Sequence, residues 1–348
     1  MTPRGDNQRL SSDPPWVRLT DEELLDVRMS DLGLHLADTP VAPRVKQLYQ
    51  ELKDHNLRFR PTCWLSDEWF APDKMPGIAI PFYLAHQRLG KLEDRQMLEV
   101  EGGTKTWCMQ LLRHEAGHAV DTAFRLSRRP RWKKIFGDAS SPYPKQYSPK
   151  PFSRSHVLHL DWWYAQSHPT EDFAETFAVW LKPASQWRRR YRKWPALKKL
   201  EYVDELMRQI AGRQPYIISR ALTDPLHRLD RTLREHYQAK QQRYGSRYPD
   251  FYDRDLDRLF SELPEHITYP SAVSFLRRVR RPVRKLVASW TGEYSYTIDL
   301  VLKEMISRSR ERNLRITRPA DDVKLELAVW LTKQTMSYVH SRNHRIAI

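Results

Sequence analysis

The apolar residues recur with two different spacings along the first 100 positions. Residues 21–36 and 43–55 have apolar side chains every three to four positions, which is the spacing of amphipathic helices. The short runs 63–65 and 77–84 are instead rich in β-branched and aromatic residues, as strands are. This pattern predicts two helices followed by a small sheet.

The same analysis predicts helices over most of the remaining chain, without an internal repeat. Beyond residue 215 the apolar spacing is helical almost throughout, and that part contains no metal-binding, phosphate-binding or catalytic-triad motif. Gly212 and Pro215 mark a break before it. From residue 169 onwards, the predicted helical stretches are 169–209, 221–244, 253–263, 270–289, 295–310 and 321–340.

One predicted helix begins after Gly102 and Gly103, with Thr104 or Thr106 as its N-cap, and ends before Pro130. A glycine in the middle of such a helix costs about 1 kcal/mol relative to alanine. A close packing contact would explain why Gly117 occupies this position. The apolar positions that predict the helix are Trp107, Leu111, Leu112, Ala119, Val120, Ala123 and Phe124.

This helix contains the motif H-E-x-x-H as His114, Glu115 and His118. Residues four apart lie about 40° apart around a helix axis, so both imidazoles project from one face. Two neutral imidazole nitrogens so placed can bind one zinc ion, and the intervening Glu can take a proton from a zinc-bound water. The alternative is a surface helix with two solvated histidines.

A catalytic zinc site requires a third protein ligand. A third histidine six residues after His118 is absent, because that position is Phe124. Glu171 is the favoured ligand: Pro169 suits the first position of a later helix, on which Glu171 and Glu175 lie one turn apart. The small residues beside them allow close helix packing. The alternative is that both glutamates are ordinary surface carboxylates. The competing ligands are His156, His159 and Asp161, in or after the proline-rich segment 141–155.

These two stretches resemble the gluzincin metallopeptidases related to lethal factor and the Pro-Pro endopeptidases. Those proteins combine an H-E-x-x-H helix with a later E-x-x-A-E helix, present here as 114–118 and 171–175. A longer resemblance, over residues 25–212, is to the bacterial group named "putative zinc-binding metallopeptidases", and includes the segment 162–169. The resemblance gives the chemistry but not the substrate.

The resemblance implies one Zn²⁺ per chain, bound by His114, His118 and Glu171, with Glu115 as general base. It places Tyr164 opposite the scissile carbonyl and Glu175 behind a zinc-bound imidazole. The substrate would be a peptide or protein.

In zincins an edge strand also runs along the cleft and pairs with the extended substrate. Residues 78–80 are the candidate for that strand, because Pro81 is tolerated at a sheet edge. An ordinary core strand fits these residues equally well.

The sequence therefore predicts an α+β zincin-like catalytic domain, with a small sheet, the H-E-x-x-H helix and the E-x-x-A-E helix, followed by an all-α C-terminal region. The expected division is a disordered N-terminal tail over 1–20, the metallopeptidase domain over 21–214, and a mostly helical basic module over 215–348.

Composition adds the charge and the expected compartment. The chain carries 59 Lys and Arg against 43 Asp and Glu, a formal net charge of +16, with basic runs at 125–134, 188–193 and 277–285. Such runs attract acidic partners or nucleic acid, although a solvated arginine-rich surface has the same composition. Two cysteines make no disulfide framework, and no apolar run is long enough for a transmembrane segment. We expect a cytoplasmic protein.

Two other functions stay open. The chain could be a nucleic-acid-associated protease or binding protein that uses its basic helical half. It could also be a non-catalytic zinc protein, although a structural site has no need of the base that Glu115 would provide.

Overall fold

The computed structural model describes residues 13–144, 147, 149–219, 221–245 and 253–340. Thirteen α-helices and two β-strands follow one another along them, with short 3-10 helices between some of them. In chain order they are α1 (Asp21–Leu25), α2 (Ala42–Asp54), β1 (Thr62–Ser66), β2 (Gly77–Pro81), α3 (Gln87–Met97), α4 (Lys105–Phe124), α5 (Pro130–Phe136), α6 (Pro169–Leu181), α7 (Trp187–Arg190), α8 (Ala196–Ile210), α9 (Leu233–Gly245), α10 (Asp253–Leu259), α11 (Ala272–Thr291), α12 (Ser295–Glu311) and α13 (Ala320–His340).

The sheet is small and parallel. β1 and β2 pair in register from Thr62 opposite Gly77 to Ser66 opposite Pro81. Every residue of β2 is buried, and the backbone N–H of Ala79 already donates to the carbonyl of Phe70 at 2.8 Å. Residues 78–80 therefore form a core strand whose outer edge is partly occupied, rather than an open edge for substrate. A two-stranded sheet among many helices is an α+β fold.

The buried hydrophobic residues of the described chain form two cores. The motif helix α4 belongs to the first of them. The Thr104 hydroxyl accepts a hydrogen bond from the N–H of Trp107 at 3.2 Å, so Thr104, and not Thr106, is the N-cap. At the other end Arg125 adopts the left-handed conformation, with φ 49°. Beneath the helix, Arg113 forms a two-pronged buried ion pair with Glu51 of α2, with both N···O distances 2.8 Å. The position of α4 is thereby fixed against α2.

Helix α6 packs directly across α4. Pro169 is its first residue, and the His168 side chain caps it by accepting from the N–H of Thr170 at 3.3 Å. A Cβ built on Gly117 would lie 2.8 Å from the Cα of Ala174 and 3.2 Å from its Cβ. Gly117 is therefore the point at which the two helices touch, as the sequence predicts for a mid-helix glycine with a packing role.

The first core extends beyond the predicted 21–214 domain at both ends. Trp16 is 5% exposed, and its indole N–H donates to the carbonyl of Leu32 at 2.9 Å, so the predicted disordered tail does not reach residue 20. Residues 1–12 of that tail lie outside the described residues. At the other end, Leu226, Leu233 and Tyr237 are buried in the same core.

Backbone hydrogen bonds tie residues 229–233 to this core. The N–H groups of Met29 and Ser30 donate to Arg231 and Leu229 at 3.0 Å, and the N–H of Leu233 donates to Val27 at 3.0 Å. A division at residue 215 would cut through this packing, so we propose that it lies between Gly245 and Asp253. The predicted helix over 221–244 is correspondingly shorter, since α9 begins at Leu233.

Helices α10 to α13 form the second core, which is a separate hydrophobic cluster. Its centre includes Leu276 and Val283 of α11, Leu302 of α12 and Leu327 of α13, all with 0% exposure. Among the described residues, no helix combines the length and apolar character required to cross a bilayer.

We expect Gly117→Ala to destabilise the fold although alanine is the better helix former. The added methyl group would meet the α6 backbone, which cannot rotate away as a side chain does. Overpacking of about 1–3 kcal/mol should exceed the gain of about 1 kcal/mol in helix propensity. Urea unfolding of the metal-free protein measures the change. Gly90→Ala is the matched control, because its Cβ would meet only the Tyr83 carbonyl at 3.4 Å. A Gly117→Ala protein at least as stable as wild type would contradict the close contact.

Candidate metal centre

Three side chains converge where α4 faces α6. The Nε2 atoms of His114 and His118 lie 3.1 Å apart, and Oε2 of Glu171 lies 3.0 Å from the first and 3.2 Å from the second. His114 and Glu171 are each 3% exposed, while the His118 side chain is 19% exposed. These three donor atoms form a nearly equilateral triangle with one partly open side.

The triangle has the size that a zinc ion requires. Tetrahedral Zn–N and Zn–O bonds of about 2.0–2.1 Å place neighbouring donor atoms about 3.3 Å apart. Two imidazoles and one carboxylate leave a fourth position, which is the donor set of catalytic rather than structural zinc sites. In the described part of the chain, these are the only three His, Cys, Asp or Glu side chains grouped closely enough to hold a metal.

The buried charges favour a cation at the centre of the triangle. Burial alone would raise the pKa of Glu171, but His118 and His114 hold it well below its usual range. Burial alone would lower the pKa of His114, but its hydrogen bonds with Glu171 and Glu175 raise it well above its usual range. Because the pKa values of both imidazoles are raised, protons compete with a metal ion for their nitrogens. A metal ion must displace these protons, so its affinity should fall with falling pH.

Glu175 fixes the orientation of His114. Its Oε1 lies 2.8 Å from Nδ1 of His114, and its Oε2 accepts from the N–H of Leu160 at 2.8 Å. Glu175 is fully buried. A carboxylate on Nδ1 selects the tautomer that leaves Nε2 free for a metal. The contact also ties the segment before α6 to the site.

Glu115 is on α4 between the two histidines and is 8% exposed. Burial raises the pKa of its carboxyl, while the neighbouring His114 and His118 act in the opposite direction. A buried carboxylate with a raised pKa is a stronger base than one in water.

Tyr164 and Tyr143 border the site, and sequence analysis identified only the first of them. The Tyr164 ring lies 5.6 Å from the His114 ring, and burial followed by the Glu171 charge raises the pKa of its phenol. The second is Tyr143, whose hydroxyl donates to Oε1 of Glu171 at 2.6 Å. Tyr143 lies in the proline-rich segment before α6, where no periodic pattern indicates which side chains face the site. The proline-rich segment 141–155 is the only feature of the sequence that points to a contact with the site here.

The competing ligands lie elsewhere. The Nε2–H of His159 donates to the Gln110 carbonyl at 3.0 Å. Nε2 of His156 lies 3.7 Å from a carboxylate oxygen of Asp172, and Asp161 is exposed. None of these three belongs to the metal-binding group in the described part of the chain.

A family model matches residues 103–189, and its description is "putative zinc-binding metallo-peptidase". The matched segment runs from before α4 to beyond α6 and therefore includes all six predicted site residues. No curated protein and no solved structure matches the chain. The match supports a metallopeptidase and, with the geometry, a zinc-binding site. The relationship to lethal factor is not part of this match and stays a prediction.

The two carboxylates of α6 should differ in their effect on metal binding. We expect Glu171→Ala to abolish tight zinc binding, because it removes one corner of the triangle. Glu175→Ala should weaken binding by about 10- to 100-fold, as the loss of an orienting partner does. Competition with a chromophoric chelator measures both affinities. If Glu175→Ala removed the metal and Glu171→Ala did not, their assignments would be reversed.

Proposed function

We propose that this protein is a zinc-dependent peptidase whose metal is held by His114, His118 and Glu171. The observation that carries the proposal is the triangle of three donor atoms, spaced 3.0 to 3.2 Å apart, with Glu115 beside it on α4. The family match over the same two helices supports the peptidase assignment. A zincin-like catalytic domain with one zinc ion per chain follows from the proposal.

When bound, zinc would supply the Lewis acid that acidifies a water molecule and polarises the substrate carbonyl. Glu115 accepts the proton from the attacking water and then delivers it to the departing amine, so a single carboxyl completes both transfers. Its burial raises its basicity for the first transfer. Glu175 meanwhile keeps the His114 ring in the productive tautomer through the contact with Nδ1.

Tyr164 is proposed to stabilise the negative charge that develops on the carbonyl oxygen. Its phenol is held protonated, since burial and then the Glu171 carboxylate raise its pKa, and a protonated phenol can donate a hydrogen bond. Its ring beside His114 places it at the border of the metal centre.

The non-catalytic zinc protein is the weaker alternative. A structural zinc is usually enclosed by four protein ligands, and the group of metal-binding side chains in the described residues has three members. A buried Glu115 beside them would have no function in a structural site, and burying an ionisable carboxyl costs free energy.

Glu115→Gln should retain zinc and lose about two to four orders of magnitude in peptidase rate, the range for removal of a general base. The isosteric amide keeps the packing but cannot accept the proton. Cleavage of a peptide library by wild type and variant, with zinc analysis of the same samples, makes the measurement. Glu304→Gln, exposed on α12, is the matched control and should be fully active. An equally active Glu115→Gln protein with bound zinc would contradict the mechanism.

We further propose that the second core is a recognition module rather than a second catalytic unit. Helix α11 contains six cations and no acidic residue. Arg280 and Arg284 turn towards the buried Asp299 of α12. Arg277, Arg278, Arg281 and Lys285 are exposed, and the described structure shows no ion pair for them. Exposed cations of one sign attract acidic partners, whether protein or nucleic acid.

Deleting residues 253–348 should leave zinc binding and the cleavage of short peptides intact but reduce cleavage of the physiological protein substrate. A chain that ends at residue 215 should fail to fold, because it loses Leu226, Leu233 and Tyr237 from the first core. Zinc analysis and paired cleavage assays of both truncated forms test this division. Loss of zinc from the longer form would mean that the two cores depend on each other.

A further inference from the structure

Tyr143 contacts the proposed metal ligand Glu171 on the oxygen that does not face the histidines. Its hydroxyl lies 2.6 Å from Oε1 of Glu171 and 2.6 Å from the hydroxyl of Thr170. The other oxygen, Oε2, faces both imidazoles. The two oxygens of this carboxylate therefore have different partners.

The hydrogen-bond directions follow from counting protons. An ionised carboxylate only accepts, so Tyr143 must donate its single proton to Glu171. The Thr170 hydroxyl lies 2.6 Å from the Tyr143 oxygen and 2.7 Å from Nδ1 of His168, so its single proton serves these two neighbours. A bond from a neutral hydroxyl to a carboxylate is among the stronger hydrogen bonds in proteins.

Tyr143 is held in this position although it is 43% exposed. Its ring stacks on the ring of His168, with centroids 3.9 Å apart and planes inclined by 17°. Nε2–H of His168 donates to the carbonyl of Ser141 at 2.9 Å, which fixes the backbone two residues before the tyrosine. His168 is also the N-cap of α6. One buried imidazole thus joins the segment 141–143 to the helix that carries Glu171.

We propose that Tyr143 is a positioning residue that restricts Glu171 to binding the metal through Oε2 alone. The inference rests on the proposed zinc site. Carboxylates bind metals through one oxygen or through both. A donor fixed on Oε1 would compete with the two-oxygen mode and would thereby leave a position on the metal open for water. Tyr143 acts through Glu171 and differs in this from Tyr164, which borders the His114 ring.

Tyr143→Phe removes the donor and keeps the stacked ring. We expect zinc affinity to fall by about 10- to 100-fold, the range seen when a partner of a metal ligand is lost. In the cobalt-substituted protein, freeing Oε1 should convert the four-coordinate site towards five-coordination, with weaker visible absorption. The rate constant kcat should fall while KM changes little. Unfolding temperatures of the metal-free proteins show whether the fold is retained.

Two further variants separate the possible results. Tyr164→Phe should lower kcat but leave the cobalt spectrum and zinc affinity unchanged. Tyr216→Phe, a 63% exposed tyrosine packed near Phe124, should change none of these measurements. A Tyr143→Phe protein with the wild-type cobalt spectrum and zinc affinity would overturn the positioning role. A wild-type protein that binds neither cobalt nor zinc would overturn the proposed function itself, which is a different result.

Discussion

The contact between Gly117 and Ala174 is the constraint on which the rest of the site depends. The two helices can approach closely only because one position has no side chain and the facing one has a methyl group. This approach lets Glu171 reach within 3.0 Å of His114 and lets Glu175 reach the opposite nitrogen of the same ring. A wider spacing between α4 and α6 would leave the carboxylates and the imidazoles as separate buried charges.

Separate buried charges would be costly, and their arrangement here removes most of that cost. Glu171 and Glu175 are nearly or fully buried, and each has a donor on both oxygens. A buried carboxylate without such partners costs several kcal/mol. These partners come from three segments, namely α4, residue 160 and the segment around Tyr143. The candidate site therefore joins three segments of the chain to α6.

The sequence predicted those parts of the site that lie on regular helices. The spacing of His114 and His118 places them on one face, and Gly117 marks the packing contact, because helical geometry is local. Tyr143 lies 28 residues before Glu171, in a segment whose conformation depends on prolines and on the His168 side chain. No short-range pattern encodes such a contact. The presence of a tyrosine in the long segment before α6 is the only indication of this contact that the sequence provides.

The sequence also does not predict that the first core extends past residue 215. Leu226 and Leu233 have the apolar spacing of any helical segment, so nothing local shows that they pack against residues 27–32. That packing depends on backbone hydrogen bonds between segments about 200 residues apart, such as the bridge between Arg28 and Thr232. By contrast, α12 and α13 were predicted closely because each buries one continuous apolar stripe.

We propose that α4 and α6 together bind one zinc ion through two imidazoles and one carboxylate. Zinc K-edge X-ray absorption of the purified full-length protein measures these ligands. We expect one zinc per chain, two imidazole nitrogens and two oxygens at about 2.0–2.1 Å, and no sulfur ligand. Sulfur at about 2.3 Å, three or more imidazoles, or the same spectrum after His114→Ala would contradict it.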